Sequence, residues 1–131
     1  MIYITGDCHG EFGKIRRFCM EMKTTREDIM IILGDAGINI SNGLRDLRKK
    51  QMLSQLSITL FCIHGNHEMR PTRVVKVDQW GGRTDRKAYR LKDWHGGRVY
   101  VESAFPSILF ARDGEVYDLD GIETLVIGGA Y

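Results

Sequence analysis

The chain has 131 residues, of which 43% are hydrophobic, and a formal net charge of +2 at pH 7. This length predicts a single domain over residues 1–131, and the apolar content is enough to build a buried core. The nearly balanced charge gives no general reason to expect a nucleic-acid or membrane partner.

The apolar start of the chain is broken at Thr5-Gly6-Asp7, which makes it too short for a signal peptide or a membrane span. The three cysteines, Cys8, Cys19 and Cys62, have no zinc-site spacing, and an odd number makes a poor disulfide framework. We therefore predict reduced thiols in a cytoplasmic protein that has no membrane partner.

The first half of the chain predicts a β-α-β-α-β unit. Its three strands are the continuous apolar runs 2–4, 29–33 and 58–63, which are typical of a parallel sheet covered on both faces. The first helix is indicated by apolar residues at helical spacing: Phe12, Ile15, Phe18, Cys19 and Met22. For the second helix we predict an N-cap at Ser41 and an inner side that carries Leu44, Leu47, Leu53 and Leu56.

The second half has a different character. Residues 70–98 show little regular periodicity and hold nine basic against three acidic residues, which leaves a charge of +6. Short apolar runs follow at 98–102, 108–110, 115–119 and 122–127, with the hairpin signals Asp113-Gly114 and Asp120-Gly121 between the last three. This pattern predicts an antiparallel meander within a mixed α/β domain. The end at 128–131 supplies no closing helix, so we expect one sheet face to be uncovered.

Polar residues follow each of the three parallel strands directly. They are Asp7 and His9, then Asp35, then Asn66 with His67. Sites in open α/β sheets lie beyond the carboxyl ends of the strands, so these groups can converge. Carboxylate, imidazole and amide ligands suit Mn²⁺, Fe or Zn²⁺, and two such ions roughly 3.5–4 Å apart can hydrolyse phosphoesters. Each segment by itself also fits ordinary turn or capping chemistry.

Together, Asp7-Cys8-His9, Gly34-Asp35 and the segment Gly65-Asn66-His67-Glu68 resemble the first three motifs of the calcineurin-like metallophosphoesterases. The match covers about residues 1–70. The remainder is similar to a bacterial and phage subgroup of that family. The resemblance implies a hydrolase in which this chain forms the first half of a two-sheet αββα sandwich.

The same resemblance implies a role for each site residue. Asp7 and His9 would bind one metal ion, and Asp35 would bridge two. Asn66 would bind the second ion and the phosphate of a small phosphoester substrate. His67 would protonate the leaving oxygen, so that Asp35 and His67 are the catalytic pair. Glu68 would orient the loop.

The sequence departs from the family pattern at two places. Protein serine/threonine phosphatases continue the second motif with an acidic residue and an arginine, where this chain has Ile38 and Asn39, so a generic phosphoesterase is favoured. The family's two later histidine motifs are also missing, and His64 and His95 are interpreted as loop or surface residues. We therefore expect a truncated domain whose second metal site is weak.

Three further hypotheses remain. The alternative to catalysis is a truncated, non-catalytic domain that binds one metal ion, or none, and acts by binding a partner. The basic residues 70–98 could bind nucleic acid, although a solvated connector is favoured. The uncovered sheet face could drive homo-oligomerisation.

Overall fold

The structure is a computed structural model and describes residues 1–129. The predicted β-α-β-α-β unit is confirmed, and its elements occur in this order: β1 (Ile2–Thr5), α1 (Gly13–Met22), β2 (Ile29–Leu33), α2 (Leu44–Leu53) and β3 (Thr59–Ile63). The three strands run parallel, with Ile2 opposite Ile29 and Ile29 opposite Thr59. Their carboxyl ends therefore meet at one edge of the sheet.

After β3, and up to residue 129, the regular elements are strands and one 3₁₀ turn. The elements are the turn η1 (Pro71–Arg73), β4 (Val75–Val77), β5 (Arg83–Lys87), β6 (Arg90–Trp94), β7 (Gly97–Val101), β8 (Ile108–Ala111), β9 (Val116–Leu119) and β10 (Ile122–Leu125). The central sheet has the order β1-β2-β3-β8-β7-β6, while β4 pairs with β5 and β9 pairs with β10 in two small sheets. The mixed α/β fold class is confirmed.

The predicted antiparallel pairing is confirmed for β7–β8 and for β9–β10, but β8 and β9 lie in different sheets. β8 pairs with β3 in parallel on one side and with β7 antiparallel on the other. All four residues of β8 are buried, which is why it occupies an interior position of the sheet. Asp113-Gly114 consequently links two different sheets, whereas Asp120-Gly121 does close the β9–β10 hairpin. Residues 70–98 hold strands that the sequence did not predict, because these strands are exposed and charged rather than alternating in polarity.

The predicted cap of the second helix is also wrong. The helix begins at Leu44, and the Ser41 side chain does not cap it. Instead, the buried Asp46 carboxylate accepts hydrogen bonds from the backbone N–H groups of Ile40, Ser41 and Asn42 at 2.7–3.2 Å. Asp46 thus fixes the loop that follows the second motif.

The two faces of the central sheet are packed differently. One face carries both helices, with Ile32, Leu60 and Phe110 in its core. The other face is covered by the β9–β10 hairpin through Tyr117 and Leu119. Neither helix has the length and hydrophobicity to cross a membrane, within residues 1–129.

The hairpin does not reach the whole of its sheet face. At the β1–β2 end, Ile4 is 65% exposed and Leu33 is 52% exposed. Part of the apolar surface of this face is therefore uncovered. Self-association through it stays a prediction, which gel filtration tests. Of the predicted tail 128–131, Ala130 and Tyr131 lie outside the described residues.

Candidate metal centre

The first and second motifs are joined by backbone hydrogen bonds. The Asp35 carbonyl oxygen accepts from the N–H of Cys8 at 3.1 Å and from the N–H of His9 at 2.8 Å. The N–H of Gly10 donates to the Ala36 carbonyl at 2.9 Å. The loop after β1 is therefore fixed directly to the loop after β2.

The third motif is joined to the second through the Asp35 side chain. Asp35 Oδ1 accepts a hydrogen bond from the His67 N–H at 2.7 Å. Gly65 packs so closely on Asp35 that a Cβ at position 65 would lie 2.1 Å from this oxygen. Asp35 consequently lies between the other two motifs.

His9 and Asp35 both adopt left-handed backbone conformations, with φ of 47° and 45°. This conformation costs a residue with a side chain about 1–2 kcal/mol relative to the right-handed region. Such outliers persist only where surrounding contacts hold them, and they cluster at functional sites. Here the hydrogen bonds between the motifs supply those contacts.

Asp7 and His9 point to the same side of their loop, as their spacing predicts. Asp7 Oδ2 lies 2.6 Å from His9 Nε2, and the two side chains are 59% and 54% exposed. The His9 ring centroid is 6.0 Å from that of His67. The structure thus brings the first motif and His67 to one open edge of the sheet.

Asn66 and Glu68 occupy opposite environments. Asn66 is exposed and lines a cleft of about 330 Å³ together with Asp35 and His64. Glu68 is turned inward, where its Oε2 accepts a hydrogen bond from the Gly65 N–H at 3.1 Å. Burial raises the pKa of the Glu68 carboxyl, although hydrogen bonds from the backbone oppose the shift. Glu68 therefore contacts the loop rather than solvent.

His64 is a loop residue that borders the Asp35–Asn66 cleft, so it is near the predicted ligands although the sequence favoured no role for it. Its side chain is buried, and its Nδ1 has no hydrogen-bond partner within residues 1–129. Its carbonyl accepts from the Gly129 N–H at 2.8 Å. Burial, followed by the Arg70 charge, lowers the pKa of His64. His95 does not line this cleft, and its Nδ1 lies 3.0 Å from the Asp118 carbonyl oxygen.

The donors at this edge match a divalent cation in their chemistry: Asp7, His9, Asp35 and Asn66 offer carboxylate, imidazole and amide groups. Their positions, however, do not form a complete metal site. Among residues 1–129, no three His, Cys, Asp or Glu side chains form a cluster that could hold a metal ion. Asp7 and His9 contact each other, while Asp35 Oδ1 is occupied by the His67 N–H. The donor set indicates a class of ions and no specific metal.

Comparison with known proteins gives a family match over nearly the whole chain. A family model described as "calcineurin-like phosphoesterase" matches residues 1–128. No curated protein and no solved structure gives a significant match.

Proposed function

We propose, since the chain belongs to the calcineurin-like phosphoesterase family, that it hydrolyses small phosphomonoesters or phosphodiesters with the help of divalent metal ions. The observation that carries this proposal is the junction at Asp35, which holds all three motif loops together through its carbonyl and its carboxylate. The fold alone would not indicate catalysis, because one fold hosts many functions.

The proposed ligands are Asp7 and His9 for one ion and Asn66 for a second, with Asp35 shared between the two. Mn²⁺, Fe and Zn²⁺ suit this mixed donor set. When bound, such ions lower the pKa of a coordinated water and stabilise the charge that develops on phosphoryl oxygens. The open edge at Asp7 and His9, both more than half exposed, leaves room for a substrate.

His67 is the proposed proton donor. Its backbone is held by Asp35, while its side chain is exposed and close to the His9 ring. An imidazole exchanges protons near neutral pH, so it can protonate the leaving oxygen as the phosphoester bond breaks. Asn66 would contact the phosphate, and Glu68 would keep the 65–68 turn in place through the Gly65 N–H.

A second candidate function is a non-catalytic domain that binds one metal ion or a partner protein. It is favoured by the lack of a three-donor cluster within residues 1–129, and His95 does not line the Asp35–Asn66 cleft. In this case the chain would bind at most one ion, at Asp7 and His9, because Asn66 and Asp35 alone supply too few ligands to hold a second ion tightly.

The test is hydrolysis of an aryl phosphate by the purified chain with Mn²⁺, alongside a calorimetric metal titration. We expect His67→Ala to reduce turnover by about 10²–10⁴-fold, the usual contribution of a general acid. Asp35→Asn should reduce both turnover and metal stoichiometry, and Arg17→Gln on the exposed side of α1 serves as the control.

Two bound ions and rapid turnover would exclude the non-catalytic alternative. Full activity in both site variants would show that the roles of Asp35 and His67 are wrong. No turnover together with one bound ion, or none, would favour the alternative.

A further inference from the structure

A second cleft opens on the other side of His64 from the Asp35–Asn66 cleft. It encloses about 470 Å³ and runs from His67 to Arg70 and Arg73, with Ile40 and Met69 as apolar walls. We infer that this cleft is an anion subsite for a second phosphate group of the substrate. The inference rests on the proposed function for its catalytic meaning, but the subsite itself can be tested by binding alone.

The backbone places both arginines on one side of the chain. The N–H of Arg73 donates to the Arg70 carbonyl at 2.9 Å, and Pro71–Arg73 forms the 3₁₀ turn η1. Arg70 is the extended residue just before the turn, and Arg73 is the last residue of the turn. Pro71 is buried at its first position, where its fixed φ suits the turn. Both arginines therefore flank a constrained segment, and both line the cleft.

Arg70 is oriented by a carboxylate that is itself held. Arg70 Nη1 donates to Asp113 Oδ2 at 2.9 Å, and Asp113 Oδ1 accepts from the Gly128 N–H at 2.8 Å. A guanidinium has five N–H donors in a planar fork, so this contact leaves donors for a ligand. The Arg70 side chain is still 47% exposed.

Arg73 carries a positive charge that no carboxylate neutralises within residues 1–129. It is exposed, and no ion pair to its side chain occurs within the described part of the chain. The acidic group of the cleft, Glu68, is turned toward the Gly65 N–H, and its Oε1 is buried. Arg70 is balanced by Asp113, but Arg73 has no such partner among residues 1–129. Arginine pairs of this kind bind phosphate through charge-assisted, often bidentate hydrogen bonds.

His67 links the cleft to the proposed chemistry. The same ring lies 6.0 Å from that of His9 and forms one wall of the arginine cleft. A substrate whose leaving oxygen meets His67 would direct its leaving group into this cleft. The preferred substrate class is therefore a phosphoester whose leaving group carries a further phosphate, rather than one with a neutral leaving group.

The first experiment measures binding of inorganic pyrophosphate and of orthophosphate to the 131-residue chain by calorimetry without added metal. We expect pyrophosphate to bind more tightly than orthophosphate. Arg73→Gln should weaken pyrophosphate binding at least about tenfold, as loss of a charge-assisted contact implies. Arg17→Gln is the matched control and should change nothing. Equal affinity for the two anions, or an unchanged Arg73→Gln variant, would overturn the inference.

The second experiment compares kcat/KM for an aryl phosphate and for a bisphosphorylated substrate. In Arg73→Gln, the loss on the bisphosphorylated substrate should exceed the loss on the aryl phosphate by about tenfold or more. Equal losses would overturn the subsite. If neither substrate is hydrolysed while pyrophosphate still binds through Arg73, the proposed function fails and the anion subsite stands.

Discussion

Replacement of Gly65 by alanine should separate the three motifs without changing any proposed ligand. A Cβ at position 65 would lie 2.1 Å from Asp35 Oδ1 and 2.2 Å from the Asp35 backbone nitrogen. Contacts of this kind below 3.0 Å essentially do not occur, so the two loops must separate by about 0.9 Å. Because one obstacle is a backbone atom, rotation of the Asp35 side chain cannot relieve the overlap.

The expected effect is large on both activity and stability. Misplacement of a reacting group by about 1 Å can cost about 10²-fold in rate, so kcat/KM should fall by about that factor. Overpacking of a tight site costs about 1–3 kcal/mol of unfolding free energy. For a chain of this size, each kcal/mol corresponds to roughly 3–5 °C in Tm.

The assays are aryl phosphate hydrolysis and thermal unfolding followed by circular dichroism. Gly6→Ala is the matched control, since it also adjoins a motif but a Cβ there meets no atom within 4 Å. It should keep its Tm and most of its activity. If Gly65→Ala behaves like Gly6→Ala in both assays, the close junction between Gly65 and Asp35 is not a determinant of the site.

Two further predictions concern charges outside the motifs. Lys50 and Glu102 form a buried ion pair beside the Tyr89 ring, so Lys50→Met should lower the unfolding free energy in urea by about 3–5 kcal/mol. The double variant Lys50→Met with Glu102→Leu should recover most of this loss, because neither charge is then left unpaired. A double variant as unstable as the single one would contradict this prediction. Burial tends to raise the pKa of Asp113, but hydrogen bonds from Arg70 and Gly128 outweigh it and hold the pKa below the usual 3.8. Its stabilising effect should therefore be complete above about pH 4 and disappear as the pH falls below, by less than about 1 kcal/mol for so exposed a pair. In urea titrations at pH 5 and pH 3, Asp113→Asn should reduce the difference in unfolding free energy between the two pH values. The same difference in the variant and in the original chain would refute the assignment.

The sequence predicted the first half of the fold because its signals are local. Continuous apolar runs at 29–33 and 58–63 indicate buried parallel strands, and the polar residues that follow them must lie at one sheet edge. The prediction failed for β5 and β6, whose residues are mostly exposed and carry charges on both faces. Both strands pair with a neighbour along the chain, β5 with β4 and β6 with β7, and this pairing leaves no apolar periodicity in the sequence.

The N-terminus of α2 shows a similar limit. Ser41 has the residue type and position of a cap, yet Asp46 bonds the preceding backbone from within the helix. The Asp46 carboxylate accepts from N–H groups that precede the helix, so it fixes the loop and does not cap the first helical turn. Whether Ser41 caps the helix or Asp46 binds the loop depends on the path of the loop through residues 40–42.

The chemical character of the site was determined by the sequence alone. Asp7, His9, Asp35, Asn66 and His67 could be named because their types and their places after apolar strands are properties of short segments. Their roles as ligands and catalysts remain predictions until the variants are measured.

What only the tertiary structure decided is which groups become neighbours across long sequence separations. Asp35 meets His67 after 32 residues, and Arg70 meets Asp113 after 43. The buried position of His64 and the shared cleft of His67 and Arg73 likewise arise from packing. Such contacts form because the free energy gained by burying the whole core offsets the conformational entropy lost when distant segments come together. That gain is a sum over the whole molecule, and no single segment determines it.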